Sequence, residues 1–174
     1  MFSKFIKYIY TDNFINQRCV LIFVFVLMIS CDKNRIFERN ISIDNNIWSL
    51  TQKPHFEHEN KDTLSSVNIM INVRHSTKYT FSNLWLFVNT TCPDGYISQD
   101  TLECLLAEKS GRWTGNGIGN IRDVSFFLKQ TKLKKEGLYL FSIEQAMRHG
   151  DLTQIDSLNG VVGIGLRIEN SRNE

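Results

Sequence analysis

Val67-Asn68-Ile69-Met70-Ile71-Asn72-Val73-Arg74 places apolar side chains at 67, 69, 71 and 73 and polar ones at 68, 72 and 74, with Met70 the one exception. A strand repeats every two residues, so this set lies on one face of a half-buried β-strand; a helix would scatter it. Thr80 to Thr90 repeats the pattern, with Leu84, Leu86 and Val88 on one face and Trp85 and Phe87 on the other. The four residues His75-Ser76-Thr77-Lys78 between them read as a hairpin connection. Ile121 to Leu128, Leu138 to Ile143 and Val161 to Ile168 supply three further strands, and Gly137 and Gly160 stand just before the last two. Leu102 to Lys109 and Ile143 to Arg148 are the only stretches with room for a helical turn or two. Short strands divided by turn residues, with little helix, predict an all-β antiparallel sandwich of the jelly-roll or immunoglobulin-like kind.

The N-terminal segment has a different character. Lys4, Lys7 and Arg18 precede an unbroken apolar run from Cys19 to Ile29, which ends in the tetrapeptide Met28-Ile29-Ser30-Cys31. That run is too short to span a bilayer core of roughly 30 Å, and its order is that of a secretory signal. A small residue directly before a cysteine marks a lipoprotein signal, so Cys31 is the expected site of lipidation and the first residue after cleavage. Residues 1–30 are thus read as the signal peptide, 31–46 as the lipidated N-terminus and polar tether, and 47–174 as the β-sandwich domain.

The chain has 20 Lys+Arg and 18 Asp+Glu. The signal removes Lys4, Lys7, Arg18 and Asp12, which leaves 17 of each sign and moves the formal +2 into the discarded segment. A neutral mature domain has no electrostatic reason to seek nucleic acid, and its attachment to a membrane rests on the lipid at Cys31. About 140 mature residues fit one domain with an ordinary core. Cys92 and Cys104 remain after export, and an even pair in an oxidising compartment reads either as a disulfide or as two thiols.

Gly115-Asn116-Gly117-Ile118-Gly119 superficially suggests a phosphate-cradling loop, but the Ile121 to Leu128 run after it reads as strand rather than helix, so a turn is expected. His55-Phe56-Glu57-His58-Glu59 holds two imidazoles and two carboxylates, of which only His55, Glu57 and Glu59 share a face when extended. No cysteine lies nearby, and neither a metal site nor a cofactor is expected. His75 and His149 have no serine marked as a nucleophile by its context, and Arg74, His75, Glu144 and Arg148 read as solvated strand ends. Trp48, Trp85, Trp113, Tyr79, Tyr96 and Tyr139 read mainly as core between sheets, or as stacking platforms for sugar rings if exposed.

Several runs carry a family likeness in one order along the mature chain. They are Cys31-Asp32, Arg74-His75, Tyr79-Thr80-Phe81-Ser82-Asn83-Leu84-Trp85-Leu86-Phe87, Asp100-Thr101-Leu102-Glu103, Gly111-Arg112-Trp113-Thr114-Gly115-Asn116-Gly117-Ile118-Gly119, Tyr139 with Glu144-Gln145-Ala146-Met147-Arg148, and Gly163-Ile164-Gly165-Leu166-Arg167-Ile168-Glu169. Together they resemble the gliding-motility lipoprotein GldH family of Bacteroidetes. The resemblance implies a cell-envelope lipoprotein of the gliding apparatus, linked to type IX secretion, whose partners are other envelope proteins. It brings no enzymatic activity and no catalytic residues. The expected location is the outer membrane, facing the periplasm. The competing reading is a lipid-anchored module that binds a glycan or small ligand. Asp62-Thr63-Leu64, Asp100-Thr101-Leu102 and Asp156-Ser157-Leu158 also resemble the acceptor tripeptides for O-glycans on exported proteins of that phylum, which makes Thr63, Thr101 and Ser157 candidate acceptors.

Overall fold

A computed structural model describes residues 32–151 and 153–171. Among these, ten strands run in the order β1 (Arg35–Ser42), β2 (Ile47–Ser49), β3 (His55–Asn60), β4 (Ser66–Ser76), β5 (Asn83–Thr91), β6 (Ile97–Leu105), β7 (Ile121–Lys132), β8 (Gly137–Gln145), β9 (Ser157–Asn159) and β10 (Val161–Asn170). A three-residue 3-10 turn, Asp44–Asn46, is the one helical element among the described residues. The first sheet has the order β1-β10-β4-β7, the second β3-β8-β5-β6, and β2 with β9 forms a short ribbon. Every pairing is antiparallel. The all-β sandwich is as expected from the sequence.

Each sheet turns one face inward. In β4 the alternation buries Val67, Ile69, Ile71 and Val73; in β5 it buries Leu84, Leu86 and Val88. Phe141 and Ile143 from β8 and Ile164, Leu166 and Ile168 from β10 complete the centre, with Trp48 and Phe56 filling the side near β2 and β3. Each such aliphatic side chain contributes about 1.5–3 kcal/mol on leaving water. The buried indole of Trp48 is satisfied as well, since its Nε1 donates to Gln52 O at 2.8 Å.

Three expectations are corrected. The segment after His75 is not a hairpin turn: β4 pairs with β10 and β7, whereas β5 pairs with β6 and β8, so the chain crosses from one sheet to the other. Apolar alternation tells which face of a strand is buried but not which sheet the strand joins. Neither proposed helical stretch is helical, because residues 97–105 and 137–145 are strands that take their ladders from β5. The tether is shorter than the 31–46 segment predicted, since Arg35 to Ser42 pairs along β10 as an edge strand. The edge strand that Phe56 suggests within the polar 51–66 stretch is present as β3, with Phe56, His58 and Asn60 turned inward.

A bulge near the middle of β7 shapes one side of the sandwich. Ile69 faces Lys129 while Met70 faces Phe127, so Leu128 is the extra residue. The shift puts Lys129 on the inward face with Ile69. There it ion-pairs with Asp100 of β6, joining the free margins of the two sheets.

Candidate functional site

The candidate residues do not converge on one chemical centre. Cys31 and the signal peptide lie outside the described residues, and Arg35, where β1 begins, follows Cys31 by four positions. Cys92 and Cys104 are free thiols, which corrects the disulfide alternative. Cys92 follows the end of β5, whereas Cys104 faces Leu84 at the strand's other end. Eight residues of strand separate the two levels, roughly 26 Å at 3.3 Å per residue, far beyond the 4.4–6.8 Å that a disulfide allows between Cα atoms. Cys104 is fully buried, and burial first, then the charge of Glu103, pushes its thiol up to about 12. Burial also raises the Cys92 thiol, helped by Asp94 and opposed by Lys135 and Lys129.

The three glycan acceptors lie apart. Thr63 sits in the turn between β3 and β4, where Asp62 Oδ1 accepts from the backbone N–H of Leu64 at 2.8 Å and of Ser65 at 3.1 Å. The Ser65 side chain first, then the backbone bonds of Leu64 and Ser65, hold the exposed Asp62 carboxyl below its ordinary range. Thr101 is exposed at the middle of β6, opposite Phe87. Ser157 opens β9 opposite Ser49.

The glycine-rich segment is a turn into β7. Asn116 and Asp123 exchange backbone hydrogen bonds of 3.1 and 2.7 Å, and a Cβ on Gly117 would lie 2.0 Å from Ile121 O. Close backbone approach therefore accounts for that glycine. In β3, His55, Glu57 and Glu59 face outward, whereas His58 turns inward and packs against Phe37 with ring centroids 5.5 Å apart. Among the described residues no group of three or more His, Cys, Asp or Glu side chains is placed to share a metal ion. His75 is buried against Trp113 at 4.9 Å. Its Nδ1 lies 3.1 Å from Ser76 O, and because a carbonyl only accepts, the proton sits on Nδ1. His75 Nε2 is left buried without a partner. Burial, first of several causes, lowers the pKa of His75. Arg74 and Glu144 form no common network: Arg74 binds Asp123 at 2.6 Å on the first sheet, while Glu144 takes Asn89 at 2.9 Å and Lys53 at 3.0 Å on the second.

The two outer faces differ in how much apolar surface they expose. On the first sheet, Asn72 Nδ2 donates to Glu38 at 3.1 Å, Ser125 Oγ donates to Asn72 at 2.8 Å, and Arg167 pairs with Glu169 at 2.9 Å. That face is polar, with its groups bonded to one another across the strands. On the second sheet, Trp85 (38% exposed) and Phe87 occupy the central strand β5, with Leu138 and Leu140 of β8 and Leu105 of β6 also exposed. Trp85, Phe87, Thr101, Ala146 and Arg148 line a depression of about 380 Å³ on this face. Of the six aromatic residues picked out in the sequence, Trp85 and Tyr96 are the exposed ones. Sequence reasoning overlooks the leucines, although Leu138-Tyr139-Leu140-Phe141 is apolar in both phases and so signals a strand with two apolar faces.

Fold and surfaces together define a class, a small β-sandwich domain whose second sheet exposes several large apolar side chains on its outer face. The model of the family described as GldH lipoprotein matches residues 35–168, and the chain belongs to that family. The match opens at the first residue of β1 and closes within β10, so the sandwich itself is what the family shares. The chain is 35% identical over 156 residues to a gliding motility lipoprotein GldH homolog of Christiangramia forsetii, covering 88% of this chain and 95% of that protein. It is 32% identical over 151 residues to the gliding motility lipoprotein GldH of Flavobacterium johnsoniae, covering 86% and 94%. Among solved structures, the VP2 subviral particle of infectious bursal disease virus aligns over 80% of this chain and 34% of its own, at 16% identity and a TM-score of 0.32. A likeness that slight carries no argument.

Proposed function

We propose that this chain is a lipid-anchored scaffold of the gliding and type IX secretion apparatus, held by Cys31 in the outer membrane and facing the periplasm. The observation that carries this reading is the set of large apolar side chains exposed on the outer face of the second sheet. Trp85, Leu105, Leu138 and Leu140 stand exposed there on rigid strands, a composition suited to covering by another protein. The anchor supports such a role by confining the domain to a surface, which raises its effective concentration near partners. Relatives named for gliding motility support assigning the work to that machinery.

In-cell crosslinking of the tagged lipoprotein, followed by mass spectrometry, tests the scaffold. Recovery of gliding or secretion components supports it, and recovery of bulk envelope protein alone refutes it. Cys31→Ser tests the anchor: the variant should lose metabolic labelling by fatty acid and leave the membrane fraction, and persistence of both would overturn lipidation at this residue. A second reading, a glycan-binding module, draws on the Trp85 and Phe87 rings beside Thr101 and Arg148. Retention on a glycan array that Trp85→Ala abolishes would favour it over the scaffold. O-glycans at Thr63, Thr101 and Ser157 belong to the same proposal, and intact mass from the native host would show the added hexoses.

A further inference from the structure

We propose that two copies of this chain pair edge to edge through β6, joining their second sheets into one continuous sheet. The inference starts from which backbone groups β6 leaves open. Cys92 N donates to Tyr96 O at one end of the β5–β6 ladder and Leu106 N to Ser82 O at the other, both at 2.8 Å. The register between them is unbroken. Antiparallel ladders bond at every second residue, so the even positions of β6 face β5. Ile97, Gln99, Thr101, Glu103 and Leu105 therefore point their N–H and C=O groups outward. β6 is the last strand of its sheet, and of these groups Leu105 O alone has a side-chain partner, Thr114 Oγ1 at 3.0 Å.

Free edges are normally blunted, and the other three edges are. β1 is bulged between Arg35 and Phe37. β3 has only six residues, follows Pro54 and carries His55, Glu57 and Glu59. β7 is bulged at Leu128, turns the charged Lys129 inward, ends at Lys132, and is covered at its start by Asn116. β6 runs nine residues without a bulge, a proline or a lysine.

The occupant that fits is a second β6, because the strand complements itself about its midpoint. A two-fold axis through Thr101 sets odd residues opposite odd residues, so open N–H groups meet open C=O groups along the whole strand. The same axis sets Ile97, 64% exposed, opposite Leu105, 57% exposed, at both ends. It sets Gln99 opposite Glu103. Gln99 Nε2 has one hydrogen on Asn89 and a second free, while Glu103 takes Asn83 on Oε1 and keeps Oε2. The two Glu103 side chains end four rungs apart, about 13 Å, so like charges do not oppose each other. Two Thr101 side chains meet at the axis, so the pairing is that of copies carrying no glycan on Thr101.

The test uses the full-length lipoprotein in membranes, with Cys92→Ser as the parent. Residues opposite each other in a bonded antiparallel pair have Cα atoms about 5.5 Å apart, within disulfide range. Under mild oxidation Thr101→Cys should migrate at twice the chain mass, and Glu57→Cys on the β3 edge should not. A register test guards against a folding defect in that variant. Gln99→Cys co-expressed with Glu103→Cys should give a linked dimer, whereas either alone gives at least fivefold less. Thr101→Lys, which puts two ammonium groups at the axis, should shift native mass from dimer to monomer with the melting temperature of the monomer kept. Monomers throughout, equal crosslinking at Glu57→Cys, or capture of a different protein at Thr101→Cys would each overturn the pairing of two copies.

Discussion

Gly160 stands where the turn from β9 into β10 touches the crossover between the sheets, and Gly160→Ala should unfold the domain far more readily than substitution of a positive-φ glycine whose Cβ would meet nothing. Its φ is +91°, a region that costs an L-residue about 1–2 kcal/mol. A Cβ there would also lie 2.7 Å from Tyr79 N and 2.8 Å from Tyr79 Cα, both backbone atoms. Relief requires a shift of a few tenths of an ångström in a segment that is pinned on several sides. Ser76 N donates to Gly160 O at 2.8 Å, Gly160 N to Asn46 O at 2.8 Å, and Tyr79 N to Ser76 O at 3.1 Å. Loss of one of these bonds adds about 0.5–1.5 kcal/mol and overpacking about 1–3 kcal/mol. The sum is about 3–6 kcal/mol. Gly119 is the control, since its φ is +63° but a Cβ there meets nothing within 4 Å, so Gly119→Ala should cost only the backbone term. For a domain of this size 1 kcal/mol moves the melting temperature by about 4 °C, which predicts a fall of about 12–24 °C for Gly160→Ala and about 4–8 °C for Gly119→Ala. Thermal melts followed by circular dichroism measure both. Equal falls in the two variants would refute the close-approach reasoning.

Above pH 9 the domain should lose stability. The buried Cys104 thiol is pushed up to about 12 and the Tyr79 phenol is raised by burial, so the unfolded chain ionises first and stability present below pH 9 is lost toward pH 12. Urea midpoints at pH 8 and 10.5 would measure this, and Cys104→Ala should flatten the slope, by at most about 1.4 kcal/mol per pH unit. On the acid side, burial lowers the pKa of His75 and of His58, so stability present above pH 6.5 is lost as pH falls through the folded values. His75→Gln should reduce the difference between urea midpoints at pH 7.5 and pH 5, and an unchanged difference would remove His75 from the account. Trp85→Ala should leave the melting temperature within about 4 °C, since the ring is partly in water, while lowering recovery of crosslinked partners severalfold. Full recovery would detach the apolar face from the proposed function.

The sequence discloses strands wherever a strand has one apolar and one polar face. β4 is legible for that reason, whereas β5, β8 and β10 are legible as short, largely apolar runs bounded by polar or glycine residues. β6 escapes such a reading because Ile97-Ser98-Gln99-Asp100-Thr101 is polar on both faces, as a margin strand with its inner side near solvent can be. Its apolar half, Leu102 to Leu105, then looks helical. β1 reads as a tether on the same grounds, with Phe37 and Ile41 its only apolar contributions to the core. Sheet membership is hidden more deeply. It depends on which inward faces meet, a property of pairs of strands far apart in the chain, and so the crossover after His75 passes for a hairpin. The two cysteines are an instance of the same limit, since a spacing of twelve residues suggests a loop unless the hairpin that holds them apart is already known.

The contrast between the two outer faces constrains what the domain can bind. Across the first sheet, carboxylates, amides and guanidinium groups already satisfy one another, so a partner docking there meets the Arg74–Asp123 and Asn72–Glu38 pairs and, of large apolar side chains, Phe127. The second sheet also carries bonded polar groups, Glu144 with Asn89 and Lys53 and Glu103 with Asn83, but the side chains of Trp85, Leu138 and Leu140 stand exposed beside them. Covering Trp85, Leu138 and Leu140 removes apolar surface from water at once, at about 25 cal/mol per Å². β6 borders that apolar face, and pairing two copies there would place both faces side by side on one sheet, doubling the docking area without any new side chain. The face and the edge then make separable demands. Thr101→Lys should halve the docking area by releasing monomers and leave each face intact, whereas Trp85→Ala should damage the face and leave the pairing. If either substitution abolished both partner recovery and dimer formation, face and edge would be one surface and this division would be wrong.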